Sequence, residues 1–132
     1  MYIDSNIFIY AAIDNTETGK KARNAIEKIA NGEIKGYVSP LVIDEVMWII
    51  QKMVNRNVAY RTVQLITSLP LVWLDISYET TKIALEIYQR GLDPRDSFHI
   101  GVMKEYNISE ILSEDRDFDK ISEIRRVSLN NF

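Results

Sequence analysis

The chain has 132 residues, 46% hydrophobic and 27% charged, and its 16 Lys and Arg against 19 Asp and Glu leave a net charge of −3. This balance suits one globular domain spanning 1–132, with enough apolar residues for a core, and argues against a strongly basic coat protein. With no Cys and one His, disulfide scaffolds, Cys-ligated or two-histidine zinc, thiol catalysis and C-x-x-C-H haem attachment are excluded, so any chemistry falls to carboxylates, hydroxyls, Lys, Arg and one imidazole.

Short apolar runs alternate with longer helical periods, the pattern of an α/β domain. Residues 1–4 read as a strand. Asp4 inside this apolar opening, with no basic residue before it, is the reverse of a secretory signal. No run approaches the roughly 18 apolar residues of a spanning helix, so no membrane role and a cytoplasmic location are expected. Residues 6–12 predict a brief helix, and 20–30 an amphipathic one with Ala22, Ala25, Ile26, Ile29 and Ala30 on one face, ended by Asn31-Gly32. Residues 36–39 predict the second strand. Ser39-Pro40 then starts a helix, with Ser as N-cap and Pro in its first position, that runs through Met53 and breaks near Asn55. Residues 58–68 predict another.

The run 71–76 predicts a third strand buried on both faces. Ser77 caps a helix through Arg90 that stops at Gly91, and Asp93-Pro94 opens one ending near Tyr106-Asn107. Strands at 110–113 and 126–129 complete four to five in all. Strands separated by helices imply right-handed crossovers and a three-layer parallel sheet.

Parallel sheets gather functional groups at the carboxyl ends of their strands, and acids recur there. Asp4 ends the first strand, and Asp115 follows the fourth, with Asp117 and Asp119 beyond it. Asp96 lies in the first turn of a helix, and Glu45 about one and a half turns into the helix after the second strand. Together they would repel in a crevice of low dielectric, a conflict that Mg²⁺ or Mn²⁺ resolves because hard cations take oxygen ligands. Each acid also has a purely structural reading. Asp4 can cap a helix, Asp93 and Asp96 can form an N-cap and N3 pair, and Asp115 can belong to an acidic turn. Glu45 is harder to dismiss, because it borders the apolar stripe of Val42, Val46, Ile49, Ile50 and Met53, where an unpaired carboxylate costs several kcal/mol. Asp44 points roughly 100° away, and register alone leaves open which of the two is functional.

These segments resemble the PIN-domain family and, in size, the VapC toxins of toxin–antitoxin pairs. The likeness rests on Y-I-D-S-N-I-F-I-Y, S-P-L-V-I-D-E-V, D-P-R-D-S-F-H-I-G-V and I-L-S-E-D-R-D-F-D-K-I, in that order. It implies a Mg²⁺- or Mn²⁺-dependent ribonuclease with acids at Asp4, Glu45, Asp96 and Asp115, and Asp117 close by. Ser5 matches the hydroxyl beside the first acid, Asn6 the bracing amide, and Ser113 the place of the commoner Thr. The resemblance also implies a homodimer and an antitoxin partner. An RNA-processing nuclease without an antitoxin, or a catalytically silent RNA- or protein-binding module of the same fold, are the alternatives.

Two divalent cations over four acids would bring the net charge to about +1. Arg95 is then the expected phosphate contact, with Lys52 and Arg56 behind it. The basic groups can equally be solvated helix faces. His99, one turn after Asp96, is expected to be a satisfied structural histidine. Trp48, Trp73 and Tyr88 read as core or interface residues, and the excess of apolar residues around Met47 and Trp48 predicts a partner surface.

Overall fold

The computed structural model describes residues 1–132. In chain order the elements are β1 (Tyr2–Ile3), α1 (Ser5–Ile13), α2 (Glu17–Ala30), β2 (Tyr37–Val38), α3 (Pro40–Met53), α4 (Arg56–Thr67), β3 (Val72–Trp73), α5 (Tyr78–Gln89), α6 (Pro94–Glu105), β4 (Glu110–Leu112) and β5 (Arg125–Val127). Two 3₁₀ turns, Arg116–Lys120 and Leu129–Asn131, flank β5. All strands pair in parallel, in the order β3-β2-β1-β4-β5. The chain thus builds outward from β1 to β3, then crosses back to lay β4 on the other side of β1. Right-handed crossovers put α1 to α4 on one face and α5 and α6 on the other. The strand order reverses between β1 and β4, and the crevice of such a sheet opens at the carboxyl ends there.

Local chemistry explains the boundaries. Asn55 accepts a hydrogen bond from the Val58 amide at 2.8 Å and so caps α4, separating it from α3. Ser77 and Thr80 form a reciprocal capping box at the start of α5. Gly91, at φ 101°, turns the chain out of α5, in backbone space that a side chain would strain. The apolar residues of β1 and β4, Tyr2, Ile3, Ile111 and Leu112, are wholly buried, and one hydrophobic cluster runs from them into α1, α2, α3 and α6.

Three expectations need correction. The third strand is an edge strand, with Trp73 42% exposed, because the sheet order leaves it only β2 as a partner. Met53 is 66% exposed rather than part of the α3 stripe, since the last residue of the helix projects beyond the core. Ala30 likewise ends α2 in solvent. No helix is long and apolar enough to cross a membrane.

Candidate active site

Asp4 leaves β1 with its backbone amide bonded to the Leu112 carbonyl at 3.1 Å, which pins it beside the end of β4. It is the N-cap of α1, its Oδ1 accepting from the Ser5 amide at 2.7 Å. The capping reading therefore holds. Its Oδ2 accepts from Ser113 Oγ at 2.5 Å and from Asn6 Nδ2 at 2.9 Å. Asn6 Nδ2 also reaches Ser113 Oγ at 3.1 Å, and the Asp115 amide donates to that same Oγ at 3.0 Å. Ser113 thereby ties the ends of the two central strands. Asp4 is only 4% exposed, and burial pushes its carboxyl above the ordinary range despite the charge of His99 and these hydrogen bonds.

Asp96 enters from the first turn of α6. Asp93 occupies the cap position, but its side chain makes no capping bond, so the N-cap and N3 pairing expected as a structural account is not formed. Asp96 is pushed up to about 7 by burial first, then by the charges of Asp115 and Asp4. Asp115 caps the 3₁₀ turn, its Oδ1 accepting from the Asp117 amide at 2.9 Å. Carboxylate oxygens of Asp96, Asp115 and Asp117 lie within 4.8 Å of one another, as do ligand atoms of Asp4, Glu45 and His99.

The structure separates Glu45 from Asp44: Asp44 is exposed, whereas the Glu45 side chain is 14% exposed and turned into the cleft. Ser5 Oγ donates to Glu45 Oε2 at 3.2 Å, and His99 Nε2 donates to Oε1. His99 is fully buried, and its Nδ1 pairs with the Tyr2 hydroxyl at 2.8 Å. Both its nitrogens are satisfied, as expected, but one partner belongs to the acidic cluster. Burial alone would lower its pKa; the hydrogen bond to Glu45 and the charges of Glu45, Asp4 and Asp96 outweigh that and raise it. Spacing from Asp96 was the only sequence signal for this contact.

A cleft of about 390 Å³ is lined by Glu45, Asp93, Pro94, Arg95 and Asp96. Arg95 therefore stands at the acids. Lys52 lies about 10 Å further along α3 from Glu45 at helical rise, and Arg56 lines a separate groove with Met47 and Tyr60. The donor set fits Mg²⁺ or Mn²⁺, since carboxylate oxygens from separate segments crowd together with too few cations of the chain among them. Asn6 Oδ1 is also the single buried side-chain polar atom without a partner, an acceptor left open on the amide that braces Asp4.

Acids gathered across the switch point of a parallel α/β sheet form a donor set of the kind that suits a hard cation. Residues 1–124 match the family model of the PIN domain, and the chain belongs to that family. It is 31% identical over 135 residues to Ribonuclease VapC2 of Methanocaldococcus jannaschii, covering 92% of this chain and 88% of that one. VapC20 of Mycobacterium tuberculosis, a Sarcin-Ricin loop cleaving toxin, shares the fold with a TM-score of 0.75 at 14% identity, over 89% of this chain and 92% of that one. VapBC2 of Rickettsia felis, bound to a promoter DNA fragment, matches with a TM-score of 0.72 at 18% identity over 96% of both chains.

Proposed function

We propose that this protein is a Mg²⁺- or Mn²⁺-dependent endoribonuclease acting in the cytoplasm, one catalytic domain over 1–132, and the toxin of a toxin–antitoxin pair. The observation that carries the reading is the convergence of Asp4, Glu45, Asp96 and Asp115 from four segments on one cleft. The 31% identity to a ribonuclease supports the activity, and the toxin–antitoxin complexes among the structural neighbours support the biological role.

Asp4, Asp96, Asp115 and Asp117 would hold the cation. When bound, it activates water for attack on phosphorus and neutralises charge on the phosphoryl and leaving oxygens. Ser5, Asn6 and Ser113 fix the Asp4 carboxylate and keep it from turning away. Glu45, held from its buried side by His99 and Ser5, presents its open side to the cleft, where it would orient the attacking water. Arg95 at the cleft contacts a backbone phosphate of the RNA, and Lys52 and Arg56 contact the strand further out. A second copy and an antitoxin would cover the exposed apolar residues, among them Trp48 at 54% exposure, Met47, Tyr60 and Leu65.

Purified protein incubated with structured RNAs should cleave them with Mn²⁺ and not with EDTA, and Asp4→Ala should be inert. Cleavage that survives both EDTA and Asp4→Ala refutes the assignment. An antitoxin-like reading frame immediately upstream separates the toxin from an RNA-processing nuclease.

A further inference from the structure

Four side chains from three segments form a hydrogen-bonded string that ends at the acidic cleft. Ser39 Oγ pairs with the Tyr2 hydroxyl at 2.8 Å, that hydroxyl pairs with His99 Nδ1 at 2.8 Å, and His99 Nε2 donates to Glu45 Oε1. Tyr2, Ser39 and His99 have no solvent exposure at all. The Tyr2 and His99 rings lie 5.5 Å apart, tilted by 59°, so the imidazole has no room to swing without displacing the phenol at the centre of the sheet. A carboxylate can only accept, so Nε2 carries a hydrogen whatever happens at Nδ1. The other hold on Glu45 is the longer contact from Ser5 Oγ at 3.2 Å.

We infer that His99 is a positioning residue for Glu45: the Ser39–Tyr2–His99 string, anchored in the sheet, fixes the rotamer in which Glu45 faces the cation and the attacking water. A histidine serving packing alone needs partners for its two nitrogens, and any buried acceptor suffices. Here the outer nitrogen is committed to a glutamate on another helix, 54 residues away in sequence. A long side chain at a helix surface has several rotamers, and only a fixed partner makes one dominant. The inference rests on the nuclease reading for its consequence in catalysis, but the link between His99 and Glu45 stands on the geometry.

Two near-isosteric amides test it. Gln at position 99 places its amide nitrogen near the site of Nε2, whereas Asn places its own near Nδ1. His99→Gln keeps the donor to Glu45, and His99→Asn loses it. Both leave a polar group in the same buried place, so a general folding defect moves them together. Binding of Mn²⁺ alone, without RNA, is titrated by its electron paramagnetic resonance signal, and kcat and KM for RNA cleavage are measured at saturating Mn²⁺. Asn is expected to weaken Mn²⁺ binding or lower kcat by about 10- to 100-fold relative to Gln, with KM for RNA unchanged. In a Glu45→Gln background the difference between the two should shrink to about twofold or less. Equal behaviour of Gln and Asn in both readouts overturns the inference, and so does a difference that persists undiminished without the Glu45 carboxylate. Wild-type protein that binds Mn²⁺ but cleaves no RNA would refute the nuclease reading alone, because the binding titration still decides whether His99 acts through Glu45.

Discussion

Asp96→Asn raises the melting temperature of the cation-free protein and removes the stabilisation that Mn²⁺ gives the wild type. The Asp96 carboxyl is pushed up to about 7 from an ordinary 3.8 by burial and by Asp115 and Asp4. At ~1.4 kcal/mol per pH unit, the ionised form costs the folded state up to ~4 kcal/mol. Water entering the open cleft screens the charge, which reduces the expected cost to ~1–2 kcal/mol. For a chain of this length each kcal/mol corresponds to ~3–5 °C, so Asn is worth ~3–10 °C at pH 8 in EDTA. Mn²⁺ at about 100 times its dissociation constant stabilises wild type by ~2.7 kcal/mol. The variant, lacking one of the carboxylates, gains far less. Differential scanning calorimetry of both proteins, with EDTA and with Mn²⁺, measures all four states. A variant that melts below wild type in EDTA, or that gains as much from Mn²⁺, refutes the argument that repulsion in the cleft exists to be relieved by a cation.

The same electrostatics set a pH dependence. Asp4 and Asp96 have raised pKa values in the folded state, so the stability they contribute is complete below their unfolded value near 4. It is lost as pH rises through their folded values, about 7 for Asp96. His99, also raised, acts in the same direction, its contribution present below 6.5 and lost above its folded value. In urea titrations with EDTA the unfolding free energy therefore declines from pH 5 to pH 8, and a flat or rising profile contradicts the site electrostatics. Away from the cleft, Asn55→Ala removes the cap of α4 and costs ~1 kcal/mol by denaturant titration. It leaves Mn²⁺ affinity unchanged; a loss of affinity would mean that the break between α3 and α4 helps to shape the cleft.

Helix boundaries were legible because their causes are local. Ser77 with Thr80, Asn55, Pro40 and Gly91 act within a few residues, so the chain announces them without reference to the rest of the fold. That Asp4 and Asp115 share one edge was also legible, since strand ends in a parallel sheet lie together whatever the connecting helices do. Strand position was not. The run 71–76 reads as a core strand, yet sheet order depends on which strands cross over where, and that order made β3 an edge. Helical register placed Glu45 and Asp44 about 100° apart without saying which one met the cleft, because the answer depends on where α6 packs.

Composition and spacing alone determined that this chain folds as alternating strands and helices and that any chemistry falls to carboxylates, hydroxyls, Lys, Arg and one imidazole, because both follow from residue type and short-range periodicity. Tertiary structure decided which groups act on which. Asn6 and Ser113, 107 residues apart, both reach Asp4, and Tyr2, Ser39 and His99 form one buried line to Glu45. Such contacts depend on ångström distances across the sheet, which no local pattern in the chain specifies.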